Sequence, residues 1–131
     1  MKRTILVIED NEQNLYLVNF LLSKAAYDVV AARDGREGIE LAARVMPDLI
    51  LLDIQLPVMS GYEVVAELKR DPALAEIPVV AVTSYAMAGD RERVLSAGCV
   101  GYIEKPIDPE TFVAEATQYL LDGSPDAGEA P

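Results

Sequence analysis

Three carboxylates, a lysine and a threonine occupy equivalent places in this sequence. Glu9 and Asp10 follow Ile5-Leu6-Val7-Ile8, Asp53 follows Leu49-Ile50-Leu51-Leu52, Thr83 follows Val79-Val80-Ala81-Val82, and Lys105 comes just after Tyr102-Ile103. Each sits where a short buried strand would end. Singly they have ordinary explanations, as helix-favouring acids, turn residues or a solvated cation. Together they make one chemistry. Three carboxylates within about 4 Å of one another repel by about 4 kcal/mol per pair at an effective dielectric of ~20, so the cluster calls for a cation. With oxygen ligands only, Mg2+ is the natural ion, and it leaves positions open to water or a phosphate oxygen. Lys105 offers a point charge and Thr83 a hydroxyl to an anion beside the metal. A carboxylate nucleophile in that company suits phosphoryl transfer, where positioning and charge neutralisation supply most of the catalysis. Asp53 is the acceptor this reading selects.

The stretch from Pro47 to Pro57 must position Asp53. Its four aliphatics between two aspartates suit a strand buried on both faces. Further strands are expected over residues 5–8, 28–32, 78–83 and 101–103. Between them, helical spacing links Leu15, Val18, Leu22 and Ala25, with Asp10 or Asn11 as the cap. A second helix is marked by Ile39, Ala42, Ala43 and Met46, and a third by Val64, Val65 and Leu68. A weakly patterned helix spans about residues 89–97, and a last one starts at Asp108 or Pro109 and carries Phe112, Val113, Ala116 and Leu120. This alternation predicts an α/β fold, a five-stranded parallel sheet with five helices on both faces. The usual order 2-1-3-4-5 makes strands one and three neighbours at the topological switch point, where ligands bind beyond the carboxyl ends. Residues 1–121 read as one domain, and residues 122–131 as a disordered tail with nothing to bury.

Composition narrows the function. The 131 residues are 51% hydrophobic but only 6% aromatic, with no Trp, which describes an aliphatic core. A formal charge of −11 argues against nucleic acid and anionic membranes as direct partners. The single cysteine, Cys99, forbids an internal disulfide. The absence of histidine excludes His-based metal sites, Ser-His triads and phosphotransfer through the chain's own histidine. No window is long and apolar enough for a membrane span, and the start is no signal peptide, so a cytoplasmic protein is expected.

Glu9-Asp10, Leu51-Leu52-Asp53 with Pro57 and Gly61, Val82-Thr83 and Lys105-Pro106 resemble the motifs of the receiver domains of two-component response regulators, over about residues 4–121. The finer pattern is Asn11 with Asn14, Ala86-Met87 with Gly89-Asp90, and Ala97-Gly98-Cys99 before Tyr102. It is most similar to DivK-type stand-alone single-domain regulators and to receivers attached to hybrid kinases. The resemblance implies that a histidine kinase or histidine phosphotransfer protein phosphorylates Asp53. Asp10, Asp53 and the main-chain oxygen of Gln55 would bind Mg2+, and Glu9 would reach it through water. Thr83 and Lys105 would hold the phosphoryl oxygens, and the peptide before Pro106 would be cis. Tyr102 would be the aromatic switch, rotating inward as Thr83 moves toward the phosphoryl group. A protein partner would then read the face made by the fourth helix, fifth strand and fifth helix, on a monomer or a phosphorylation-dependent dimer. The resemblance also implies that the first helix, around Leu15, Val18 and Asn19, meets the kinase. Gln55 and Tyr85 would tune the phosphoryl lifetime, and Ser84 would leave access open.

Such a protein catalyses only its own phosphorylation and dephosphorylation. An aspartate-nucleophile phosphatase would place a second Asp two residues after the nucleophile, where this chain has Gln55. A flavodoxin-like carrier needs a Ser/Thr-rich phosphate loop, where this chain has Glu9-Asp10-Asn11-Glu12. An unphosphorylated interaction module would have no need of the complete set of acids with Thr83 and Lys105. Met1 close to the first strand and a short polar tail favour a stand-alone regulator over a receiver excised from a hybrid kinase.

Overall fold

A computed structural model describes residues 2–84 and 89–120. The elements in chain order are β1 Thr4–Ile8, α1 Glu12–Lys24, β2 Asp28–Ala32, α2 Gly35–Val45, β3 Leu49–Asp53, α3 Gly61–Arg70, β4 Val79–Thr83, α4 Asp90–Ala97, β5 Gly101–Glu104 and α5 Phe112–Thr117.

 

Strand β3 is buried at every position because it lies inside the sheet, whose order is β2-β1-β3-β4-β5 with every pairing parallel. This is the expected order. Its unbroken apolar run hides an alternation of faces. Ile50 and Leu52 join Leu6, Ile8, Val64, Val65, Leu68 and Val94 in one core layer. Leu49 and Leu51 join Ile5, Val7, Leu15, Val18, Leu22, Phe112 and Ala116 in the other. The register pairs Ile8 with Leu52, Asp53 with Val82 and Thr83 with Glu104, so the polar residues that end these strands gather at one edge.

Helix starts follow local chemistry. The Asn11 side chain accepts the Asn14 N–H at 2.9 Å, so Asn11 rather than Asp10 caps α1. Asp34 accepts the Glu37 N–H at 2.8 Å, and Ser60 and Glu63 form a reciprocal capping box. Such caps each contribute about 1 kcal/mol.

Three expectations are corrected. In α2, Ala43 and Met46 are exposed, and Met46 is the C-cap, in the left-handed conformation at φ 48. The buried face is Gly35, Gly38 and Ala42, because α2 approaches β1 so closely that a Cβ on Gly38 would lie 2.4 Å from Ile8 Cδ1. Helix α5 begins at Phe112, not at Asp108 or Pro109, because Asp108 closes a turn first. Its carbonyl accepts the Thr111 and Phe112 N–H groups at 3.2 and 2.9 Å, and its carboxylate accepts that of Glu110 at 2.9 Å. Leu15 and Val18 on α1 face the core, so neither offers a side chain to a partner.

No helix among the described residues is long and apolar enough to cross a membrane. The tail expected over residues 122–131, together with Tyr85, Ala86 and Met87, lies outside the described residues.

Candidate functional site

The chain leaves β1 through Glu9, whose N–H donates to Ala32 O at 3.0 Å and continues the sheet by one residue. Its carboxylate turns inward and is buried, whereas Asp10 is exposed. Glu9 Oε2 accepts the Asn11 N–H at 3.1 Å, which ties the acid to the start of α1. Asp53 is buried at the end of β3, and its Oδ1 accepts the Gln55 N–H at 2.9 Å. The loop after it is pinned by Gly61, whose N–H donates to Ile54 O at 2.9 Å. A Cβ there would come within 2.6 Å of Ile54 Cα and 2.9 Å of Asp53 O. Close backbone approach, rather than a special dihedral, requires this glycine.

Thr83 is buried at the end of β4, and its carbonyl accepts the Lys105 N–H at 2.8 Å, which brings the end of β5 alongside. The Lys105-Pro106 peptide is cis. Lys105 Nζ lies 2.8 Å from Glu9 Oε1 and 3.3 Å from Asp53 Oδ2. Carboxylate oxygens of Glu9, Asp10 and Asp53 all fall within 4.8 Å of one another.

Burial pushes the Glu9 carboxyl up to about 6. The Lys105 hydrogen bond opposes that shift, and the neighbouring Asp53 adds to it. Burial pulls Lys105 down, but its bond to Glu9 and the charge of Asp53 outweigh this and raise it overall. The lysine is therefore a fixed cation. With all three acids ionised, one ammonium leaves two negative charges uncompensated. A hard divalent cation matches both that charge and the all-oxygen donor set.

The remaining sequence-selected residues stand to either side. Pro106 borders the acidic cleft with Asn14 and Ser84. Tyr102 does not border that cleft. It lines a second cleft, of about 570 Å³, together with Thr83, Gln55, Tyr62, Asp90 and Arg93. Burial raises its phenol, with Glu104 and Asp90 adding to the effect. Asp10 and Gln55 border both clefts. Sequence reasoning missed the Ser84 hydroxyl, which donates to Gln55 Oε1 at 2.6 Å across the mouth of the site. The only available signal was that both follow ends of strands expected to be adjacent. It also set Lys105 beside an incoming anion without seeing that Glu9 holds its ammonium.

Residues 5–117 match the response regulator receiver domain family. The chain is 45% identical over 122 residues to the polar-differentiation response regulator DivK of Brucella anthropi, an alignment that covers 93% of this chain and 99% of that protein. Among solved structures, the receiver domain of a sensor histidine kinase from Pseudomonas aeruginosa, with magnesium coordinated in its active-site cleft, is 34% identical at a TM-score of 0.77. That match covers 84% of this chain and 90% of the other. The chemotaxis protein CheY4 of Vibrio cholerae is 27% identical at a TM-score of 0.82, covering 87% and 95%. The chain belongs to the response regulator receiver family, as a DivK-like phosphorelay switch working between histidine kinases or phosphotransfer proteins and downstream partners.

Proposed function

We propose that Asp53 accepts a phosphoryl group from a phosphohistidine of a kinase or phosphotransfer protein, with Mg2+, and that the modified protein signals through α4, β5 and α5. The observation that carries this reading is the junction of three strand ends, where Lys105 bridges Glu9 at 2.8 Å and Asp53 at 3.3 Å beside Asp10.

Asp10, Asp53 and the main-chain oxygen of Gln55 would hold Mg2+, with Glu9 reaching it through water. The ion supplies neutralisation of phosphoryl charge. An Asp53 carboxylate oxygen attacks phosphorus while the bond from phosphorus to the donor imidazole nitrogen breaks, and that nitrogen keeps the electron pair. With the other ring nitrogen of the phosphohistidine protonated, the products are an acyl phosphate and a neutral imidazole. Lys105 exchanges its Asp53 contact for a phosphoryl oxygen, and the Thr83 hydroxyl donates to another. Tyr102 then fills the space that Thr83 leaves. Water reverses the modification, and the Gln55–Ser84 bond narrows its approach.

The donor meets the exposed side of α1, where Tyr16 and Phe20 stand one turn apart at 75% and 52% exposure with Asn19 between them. Residues 1–121 act as the receiver domain and residues 122–131 as a tail, in a monomer or a phosphorylation-dependent dimer. A lone buried cysteine suits the reducing cytoplasm. The same chemistry would serve a receiver attached to a hybrid kinase, but 45% identity over 99% of DivK favours the stand-alone form.

The test is intact-mass analysis after incubation with acetyl phosphate and Mg2+, with Asp53→Asn alongside. A phosphoryl adduct that needs Mg2+ and vanishes in the variant is expected. No adduct, together with no beryllofluoride complex, would leave an unphosphorylated interaction module.

A further inference from the structure

Helix α4 buries one residue, Val94, whereas α1, α2 and α5 bury three each and α3 buries four. Its N-cap is Gly89 at φ 95, without a side-chain cap hydrogen bond. Among the described residues, its hold on the core is Val94 with Ala97 half-buried beside it. A further contact reaches toward the phosphorylation site. The Arg93 guanidinium on α4 sits 4.2 Å from the centroid of the Tyr62 ring on α3. Tyr62 directly follows Gly61, which packs on the main chain of Asp53 and Ile54. Its ring is thus anchored to the loop that carries Asp53. Tyr62 and Arg93 also form part of the wall of the cleft that holds Thr83 and Tyr102.

We propose that the Arg93–Tyr62 stack holds α4 in the unmodified arrangement, and so sets the fraction of protein already in the activated one. This rests on the switch reading given above. Arg93 and Tyr62 are positioning residues here, since neither touches the acidic cluster. A ligand selective for the activated arrangement binds with an apparent affinity scaled by the fraction competent to receive it. Weakening the stack raises that fraction.

The probe is beryllofluoride with Mg2+, titrated against the full chain and followed by amide chemical shifts. Arg93→Ala and Tyr62→Leu should each tighten beryllofluoride binding about two- to fivefold, the equivalent of ~0.5–1 kcal/mol for an exposed cation on an aromatic face. The double variant should gain no more than either single one, and Tyr62→Phe should bind as the wild type does. Mg2+ alone should bind all of them equally. Arg93 is exposed, so Arg93→Ala carries the test even where Tyr62→Leu is poorly folded. Unchanged or weaker binding by Arg93→Ala, additive single effects, or an equal shift in Mg2+ affinity would overturn the proposal. A wild type that binds no beryllofluoride would instead overturn the phospho-acceptor reading itself.

Discussion

The acidic cleft and the α4 side of the sheet are built to different standards. At the cleft, Glu9, Asp53 and Thr83 project from strands buried on both faces, and Lys105 is locked to two of them. On the α4 side a short helix buries one valine, packs Ala97 half-buried against the same core and carries a stack with α3. Rigid strand ends suit chemistry that depends on placement, and a weakly held helix suits a readout that must change. The two regions meet at Thr83, which borders Tyr102 and Gln55 in one cleft and hands its carbonyl to Lys105 in the other.

The sharpest way to break this contrast is at Asp53. Asp53→Asn should abolish phosphoryl incorporation while keeping the fold, as read by mass and by circular dichroism. Next in size is a pair of leucines. Leu52→Ala, beneath the acidic cleft, should cost ~2–5 kcal/mol in urea unfolding. Leu95→Ala, on the exposed side of α4, should stay within about 0.5 kcal/mol. Equal costs would show that α4 is anchored as firmly as the strands.

A smaller effect separates docking from chemistry. Tyr16→Ala with Phe20→Ala should slow phosphotransfer from a cognate phosphohistidine protein about tenfold or more, as expected for aromatic anchors. The rate with acetyl phosphate should not change. Similar slowing with both donors would mean that α1 shapes the site instead of receiving the partner.

The smallest effect is electrostatic. The Glu9 carboxyl is raised from 4.5 to about 6, so the folded protein binds its proton more tightly than the unfolded chain does. Stability of the metal-free protein should therefore fall as pH rises from about 4.5 to about 6 and then level off on this account. Lys105, raised above 10.5, has the same sign at the alkaline end: it adds stability at neutral pH that is lost as pH climbs through its folded value. Urea midpoints across pH should show the acidic slope in the wild type and lose it in Glu9→Gln.

Much of this architecture was legible because it is written locally. Continuous aliphatic runs for strands covered on both faces, helical spacing between them and a polar residue at each strand end are properties of neighbouring residues. They determined the α/β class and the candidates Glu9, Asp10, Asp53, Thr83 and Lys105, whereas the order 2-1-3-4-5 was expected as the usual one for five such units. Helix α2 was misread in part because the same logic expects large apolar residues on a buried face. Close packing on β1 demanded Gly38 there instead.

What only the tertiary structure decided are the meetings of side chains far apart in the chain. Lys105 reaches Asp53 across 52 residues, and Ser84 reaches Gln55 across 29. The Arg93–Tyr62 stack likewise joins two helices with no local pattern to announce it. The physical reason is that hydrophobic period depends on the local backbone, whereas these contacts depend on strand order, register and the distance at which each helix settles on the sheet.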